Sequence, residues 1–153
     1  MRRNFLALLV LALGFWPARA RAQEGLGLGL ILGEPTGISV KTWLTRTTAF
    51  DLAAAWSFED EGSFDVHGDY LVHNYEVFKM NRGALPLYYG LGGRVRDGRT
   101  IDPNVGIRLP VGIEYLFPDA TFDLFLEAVP VLDLTPSTRL DLNASIGARY
   151  FFR

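Results

Sequence analysis

The sequence predicts an all-β fold, an eight-stranded antiparallel up-and-down transmembrane β-barrel, and three observations lead to this prediction. Turn-forming residues recur at near-regular intervals along the chain. The segments between them alternate apolar and polar residues with the two-residue period of a β-strand. After the N-terminal segment, no apolar run reaches the length of a membrane-spanning helix. Any membrane span must therefore consist of strands.

The N-terminal segment, residues 1–22, has the features of a cleaved secretory signal peptide. Arg2 and Arg3 form a positive region, residues 5–15 an apolar one, and Ala20-Arg21-Ala22 a small-x-small cleavage site. We expect the mature protein to start at Gln23, with cleavage after Ala20 as the alternative. The apolar run is shorter than the roughly 20 residues that a spanning helix needs, which disfavours an uncleaved anchor. Residues 23–153 are then a single outer-membrane β-barrel domain.

Charge and cysteine content exclude several classes of protein. Removing the four arginines of the signal peptide lowers the basic count from 15 to 11, against 17 acidic residues, for a net charge of −6. An acidic chain is a poor ligand for nucleic acid, which requires a basic surface. The chain has no cysteine, which rules out disulfides, thiol chemistry and a lipid anchor on cysteine.

Seven groups of turn residues divide the mature chain into eight predicted strands. The breaks fall at residues 33–37, 45–48, 59–62, 79–84, 97–103, 118–120 and 135–138. The segments between them are rich in glycine, aromatic and β-branched residues, and none has a sustained helical period. The predicted strands are residues 25–32, 38–44, 49–58, 63–75, 85–96, 104–117, 121–134 and 139–152.

The last predicted strand shows the alternation most clearly. One face carries Leu140, Leu142, Ala144, Ile146, Ala148, Tyr150 and Phe152, and the other carries Asp141, Asn143, Ser145, Gly147, Arg149 and Phe151. Such a pattern fits a soluble sandwich or lipocalin-like barrel with a wet polar face, or a membrane barrel with a polar lumen. The apolar positions continue to the strand ends, and the polar face is rich in glycine but poor in Lys, Gln and Thr. These features favour the membrane barrel.

The polar face is expected to form a satisfied network of charges inside the barrel, because an isolated ion there would be costly. Pairing the last two strands about their short turn places Asp123 opposite Arg149, Asp133 opposite Arg139, and Phe125 opposite Gly147. The same logic for the preceding pair places Gly112 opposite Phe125. The predicted lumen residues are Lys41, Asp51, Asp65, His67, Asp69, His73, Arg94, Arg108, Glu114, Asp123, Glu127, Asp141 and Arg149.

Aromatic residues predict the orientation of the barrel. An even number of strands brings both termini to one side, which is the periplasm in bacterial barrels. A dense set of aromatics falls at that end and a thinner set at the other, as expected for girdles at the two headgroup regions. The periplasmic set is Trp43, Phe50, Tyr75, Phe78, Tyr89, Tyr115, Phe117, Phe122, Tyr150 and Phe152, and the outer set is Trp56, Phe58 and Phe64.

The C-terminal pattern Ser145-x-Gly147-x-x-Tyr150-x-Phe152 resembles the β-signal by which outer-membrane barrels are recognised for assembly. The usual signal ends on the aromatic residue, whereas Arg153 follows it here. The mature chain resembles the small barrels of the OmpA-transmembrane-domain and OmpX type, and segments 33–38, 85–90 and 129–134 suggest an uncharacterised family of such proteins. The resemblance implies contact with the barrel-assembly machinery during biogenesis. The predicted outer loops are short, whereas long ones carry adhesion and receptor functions.

Catalytic and metal chemistry is weakly represented. His67 and His73 have inward parity near Asp65, and Ser57 or Ser63 is a candidate nucleophile. A hydrolase would need a serine activated by a histidine, and a metal site would need about three converging ligands. The glycines at positions 25, 27 and 29 alternate along a strand without a following helix, unlike a phosphate-binding loop. We expect no catalytic, cofactor-binding or metal-binding residues.

The expected function is that of a small, non-enzymatic integral outer-membrane protein with a structural or surface-interaction role. Its partners would be outer-membrane lipid and the assembly machinery, with no cofactor, no nucleic acid and a monomeric state. Eight strands leave an interior that side chains fill, so no open pore is expected. Two alternatives stay open: an outer-membrane lipid-modifying enzyme, and a soluble periplasmic lipocalin-like barrel that binds an apolar ligand.

Overall fold

The computed structural model describes residues 25–58, 62–98 and 102–152. The predicted signal peptide and the tips of two predicted outer loops lie outside these residues, as does Arg153. Nine antiparallel strands form one sheet: β1 (Leu26–Glu34), β2 (Thr36–Trp43), β3 (Thr48–Ser57), β4 (Ser63–Asn74), β5 (Leu87–Asp97), β6 (Asn104–Arg108), β7 (Val111–Leu116), β8 (Phe122–Asp133) and β9 (Arg139–Phe152). Within the described part of the chain, no helix is long and apolar enough to cross a membrane.

The sheet closes into a ring because β1 pairs with β9 as well as with β2. Each other strand pairs with its sequence neighbours, and β6 and β7 share one position between β5 and β8. The predicted eight-stranded antiparallel barrel is therefore confirmed. Closure removes the exposed edges that would otherwise leave rows of unpaired backbone groups.

The division between β6 and β7 was not predicted and is caused by proline. Arg108 of β6 pairs with Val131 of β8, and Val111 of β7 pairs with Ala128 of β8. The chain therefore advances by three residues on each side of the gap, and no residue is inserted. Pro110 lies in the gap and has no N–H to donate. Its carbonyl still accepts the N–H of Gly90 at 2.9 Å. The predicted strand over 104–117 is thus one wall segment with a local break in its ladder.

The first turn is tighter than predicted. Only Pro35 separates β1 from β2, whereas the sequence indicated a turn over residues 33–37. The Thr36 hydroxyl donates to the Gly33 carbonyl at 2.8 Å and accepts the Gly33 N–H at 3.2 Å, which closes the turn locally. Gly33 has a φ of 139°, a conformation that a side chain would disfavour.

The two faces of the wall are inverted relative to a water-soluble protein. Outward-facing Leu30, Leu126 and Ile146 are more than half exposed, while inward-facing Lys41 and Arg94 are buried. Soluble monomers rarely expose contiguous apolar patches larger than a few hundred Å². A small apolar cluster lies inside the barrel among the charges, formed by Ile31, Ala53, Leu71, Tyr88 and Phe125.

Glycines on β1 make room for large side chains of β9 where the ring closes. Gly27 pairs with Phe151, and a Cβ at Gly27 would lie 2.6 Å from the Phe151 ring. Gly29 pairs with Arg149, and a Cβ there would lie 2.3 Å from Arg149 Cγ. Both distances are far below van der Waals contact. A larger residue at position 27 would displace the Phe151 ring, whereas a Cβ at Gly29 would also lie 2.2 Å from the Ala148 carbonyl oxygen, so the β9 backbone itself requires glycine there.

Candidate functional site: the charged lumen

The interior at the end that holds the chain termini, called here the terminus-side cluster, is centred on Glu114. This carboxylate on β7 accepts hydrogen bonds from Lys41 Nζ at 2.6 and 2.8 Å. It also accepts one from Arg149 Nη2 at 2.7 Å. All three groups are buried, and two cations on one carboxylate require further anions nearby.

Asp123 and Asp51 supply those anions. Arg149 Nε lies 3.2 Å from both oxygens of Asp123, and Arg149 Nη1 lies 2.5 Å from Asp51 Oδ2. Ser39 donates to the other oxygen of Asp51 at 3.0 Å. The Arg149 guanidinium also lies 4.2 Å from the centre of the Phe125 ring. Arg149 thus joins strands β3, β7, β8 and β9 through charge-assisted hydrogen bonds.

Aromatic rings pack against one side of this cluster. Lys41 Nζ lies 4.3 Å from the centre of the Trp43 ring, within the range of a cation–π contact. His73 packs between Trp43 and Tyr88, with centroid distances of 4.5 and 5.4 Å. His73 Nε2 is 3.0 Å from Lys41 Nζ and 3.1 Å from Glu114 Oε2. Trp43 and Tyr88 thus pack against the Lys41 and His73 side chains of the cluster.

A second group of charges lies at mid-height. Arg108 Nε is 3.0 and 3.1 Å from the two oxygens of Asp69, and Arg108 Nη2 is 3.6 Å from Glu127 Oε1. The Tyr88 hydroxyl donates to the other oxygen of Glu127 at 2.8 Å. Arg108 and Tyr88 are among the largest buried side chains of the lumen. Each contact passes over a glycine of the strand between the two partners: Gly92 lies between Arg108 and Asp69, and Gly112 between Tyr88 and Glu127.

The third group, called here the outer cluster, lies toward the opposite end and is centred on Arg94. Its Nη2 is 2.8 Å from both oxygens of Asp133 and 3.3 Å from Asp141 Oδ2. Asp65 Oδ1 lies within hydrogen-bond distance of His67 Nδ1, at 2.7 Å. Arg96 lies 3.7 Å from Asp65 and 3.8 Å from Asp141. Arg94 and Arg96 therefore both face these two carboxylates.

The outer cluster is less completely hydrogen-bonded than the terminus-side cluster. Ser57 Oγ, Ser63 Oγ, Asn143 Nδ2, Asp65 Oδ2 and Arg94 Nη1 are buried without a hydrogen-bond partner. In the described residues, no side-chain polar atom of the terminus-side cluster shares this condition. A buried polar atom without a partner costs about 1–3 kcal/mol in an apolar setting.

All thirteen residues that the sequence placed in the lumen lie on the inward face of their strands and make polar side-chain contacts with other inward residues. Four further inward residues take part that the sequence prediction left out, namely Ser39, Tyr88, Arg96 and Asp133. Strand parity alone would have found them, because each lies an even number of residues from a predicted lumen residue on the same strand.

Three of the four predicted register pairs are confirmed, and one is wrong. Asp123 pairs with Arg149, Asp133 with Arg139, and Phe125 with Gly147. The side chain of Asp133 nevertheless bonds Arg94, which lies on the other side of Gly106 in the register, while Arg139 is exposed.

Gly112 pairs with Glu127 and not with Phe125, which is opposite Glu114. The turn before β8 shifts the register by two residues and so preserves the inward face. An aromatic ring does cover Gly112, but it belongs to Tyr88 of the other neighbouring strand.

The geometry offers no assembled catalytic or metal site in the described ranges. His67 bonds Asp65, but Ser57 Oγ and Ser63 Oγ make no hydrogen bond, so the Ser–His contact that activates a nucleophile is not formed. Among the described residues, no group of three or more His, Cys, Asp or Glu side chains could hold a metal ion.

Of the residues that resemble the assembly signal, Gly147 lies under the Phe125 ring, and Ser145 is partly buried on the inward face. Tyr150 and Phe152 face outward with their ring centres 5.1 Å apart. Tyr150 pairs with Leu28 on one side and Phe122 on the other, within the terminus-side girdle.

One solved structure shares this architecture. The N-terminal β-barrel domain of Pseudomonas aeruginosa OprF aligns with a TM-score of 0.64 at 15% sequence identity, covering 85% of this chain and 98% of that chain. The likeness shows the fold, an eight-stranded β-barrel similar to that of the OprF domain. A scan of protein-family models and a search of curated proteins each gave no match.

Proposed function

We propose that this chain is a small integral protein of a bacterial outer membrane, non-enzymatic, with a structural or surface-interaction role. The observation that carries the proposal is the inversion of the wall: charged side chains are buried inside, and large apolar ones are exposed outside. In a hydrocarbon environment the exposed residues become the favourable face. The closed ring also satisfies the backbone, which an open sheet in lipid could not do.

The same proposal describes a barrel without an open pore. The Lys41–Glu114 pair, Arg108 and Arg94 are buried inside at three successive heights, and each bonds a side chain of a strand that is not its own neighbour in the sheet. Barrels of eight strands have interiors just wide enough for side chains, whereas water-filled channels come with 16 or more strands. Passive passage of metabolites would require the ion pairs to separate at all three levels.

Replacing Leu126 with Arg tests membrane residence. Leu126 faces outward near the middle of β8, so its replacement should destabilise the folded barrel in lipid vesicles by about 2–4 kcal/mol. Leu126→Met, which conserves apolarity and volume, is the matched control. Urea titration followed by heat-modifiable gel mobility would measure both. A loss below about 0.5 kcal/mol for Leu126→Arg would show that position 126 faces water and would exclude the membrane barrel.

Export through a signal peptide at residues 1–22 and delivery to the assembly machinery by Ser145, Gly147, Tyr150 and Phe152 belong to this proposal. Changing Phe152 to Asp should sharply reduce insertion into the outer membrane and leave export and signal cleavage unchanged. Deleting Arg153 alone should do little. Cell fractionation with surface protease treatment would report the result. An unchanged level of inserted protein in Phe152→Asp would refute this assignment of the signal.

A further inference from the structure

The longest connection among the described residues lies at the terminus-side end, between β4 and β5. This segment, residues 75–86, is called here the long turn. It is held by several contacts: Asn74 Oδ1 accepts the N–H of Glu76 at 2.8 Å, and Arg82 Nη2 lies 3.1 Å from Asp119 Oδ2. Ala84 and Leu116 exchange two backbone hydrogen bonds at 3.1 and 2.8 Å. The long turn is therefore a built structure and not an extended tether.

The long turn lies against the outward-facing aromatic girdle. The Tyr115 hydroxyl donates to the Arg82 carbonyl at 3.2 Å. Gly83 has a φ of 69°, and a Cβ there would lie 2.8 Å from Tyr115 Oη, so only glycine lets the turn approach the ring this closely. The Tyr115 ring contacts Phe117, which in turn contacts Phe122, with centroid distances of 4.6 and 4.3 Å. The long turn thus continues the girdle.

The middle of the long turn exposes three apolar side chains next to balanced charges. Val77, Phe78 and Met80 are between 43% and 47% exposed. Lys79 pairs with Glu76, and this hydrogen bond holds the pKa of the Glu76 carboxyl below its ordinary value. Arg82 pairs with Asp119, so the charges of this surface cancel. An exposed apolar group flanked by charged heads is the pattern of a segment at a membrane interface.

We propose that the long turn lies in the headgroup region of the periplasmic leaflet, with Val77, Phe78 and Met80 inserted at the boundary of the acyl chains. This inference rests on the proposed membrane residence. Continuity with Tyr115 identifies lipid as the occupant, because the girdle beside it meets the same headgroup layer. The cancelled charges indicate phospholipid of any net charge, without preference for anionic lipid.

The absence of cysteine makes single-site labelling direct. Phe78→Cys and Met80→Cys would each carry a nitroxide spin label in the full-length barrel, folded into phosphatidylcholine vesicles with and without phosphatidylglycerol. Glu76→Cys and Asn81→Cys are the matched controls in the same turn, and Leu126→Cys reports the apolar belt. Collision of the label with oxygen, which concentrates in lipid, is compared with collision with a water-soluble nickel complex.

Labels at 78 and 80 should collide preferentially with oxygen and those at 76 and 81 with nickel, with no change on adding anionic lipid. Preferential nickel collision at 78 and 80, with oxygen preference kept at 126, would overturn this inference alone. Nickel preference at 126 as well would overturn the membrane proposal. Labels at 78 and 80 shielded from both reagents would also overturn the inference, because protein would then cover the turn. A requirement for anionic lipid would refute the stated lack of headgroup preference.

Discussion

The two ends of the barrel interior use the same residue types but differ in how fully the polar atoms are bonded. At the terminus side, Arg149 contacts three carboxylates, and a serine saturates one of them further. At the outer side, Arg94 bonds Asp133 at 2.8 Å, but Arg94 and Arg96 share the carboxylates of Asp65 and Asp141 at distances of 3.3 to 3.9 Å. The number of buried charges therefore does not by itself predict how strongly a cluster stabilises the barrel. The number of hydrogen-bond partners of each polar atom matters as well.

The largest effect should come from Arg149. Arg149→Met leaves Asp51, Glu114 and Asp123 with fewer cations in a buried site, and we expect a loss of about 3–5 kcal/mol in the free energy of unfolding. Adding Asp123→Asn should recover part of that loss, because one of the stranded charges is removed. Urea unfolding of the two single variants and the double variant would measure the coupling. Strictly additive effects would show that these two groups do not interact.

Arg94→Met should cost less, about 1.5–3 kcal/mol, although Arg94 is equally buried. Arg94→Met leaves one carboxylate, Asp133, without the cation that bonds it at 2.8 Å, whereas Arg149→Met affects three carboxylates. Arg96 still faces Asp65 and Asp141 and stays to neutralise them, and Asp141 is 23% exposed. The same unfolding measurement compares the two arginines directly. A loss as large as that of Arg149→Met would remove the distinction between the two ends.

The smallest and sharpest comparison uses two buried serines. Ser39→Ala removes a hydrogen bond to the Asp51 carboxylate and should cost about 1.5 kcal/mol. Ser63→Ala removes a buried hydroxyl that has no hydrogen bond, so it should not lower the free energy of unfolding and should raise it by up to about 1–3 kcal/mol. Both serines are fully buried, which makes each the control for the other. Equal losses would mean that the Ser63 hydroxyl is bonded in the folded protein.

Strand number, the inward face and the pairing of β8 with β9 could be predicted because each depends on local signals. Turn residues mark the strand ends, and the two-residue period identifies the faces. The short turn between Asp133 and Arg139 fixes the register of the last hairpin. In the hairpin before it, between β7 and β8, the observed register differs from the predicted one by two residues, a shift that leaves every face unchanged. Parity therefore could be predicted there, but register could not.

The partners of the lumen charges could not be predicted, because they depend on the cross-section of the closed barrel. Arg94 bonds Asp133, 39 residues away along the chain, although Arg139 is a cross-strand neighbour of Asp133. Arg94 and Asp133 flank Gly106 on the strand between them, and the missing side chain of Gly106 lets them meet. Such a contact requires the register of three strands at once, which the sequence pattern does not carry. The break at Pro110 was missed for a different reason: its strand pattern continues on both sides without a change of face.

The glycines of β1 have a consequence for how this protein can change over generations. A Cβ at Gly27 would meet only ring atoms of Phe151, whereas a Cβ at Gly29 would lie 2.2 Å from the backbone oxygen of Ala148. A larger residue at position 27 is therefore tolerated if residue 151 becomes smaller, but no change of the Arg149 side chain makes room at position 29. Among descendants of this sequence, positions 27 and 151 should vary as a pair, with a gain in volume at one matched by a loss at the other, while position 29 should stay glycine.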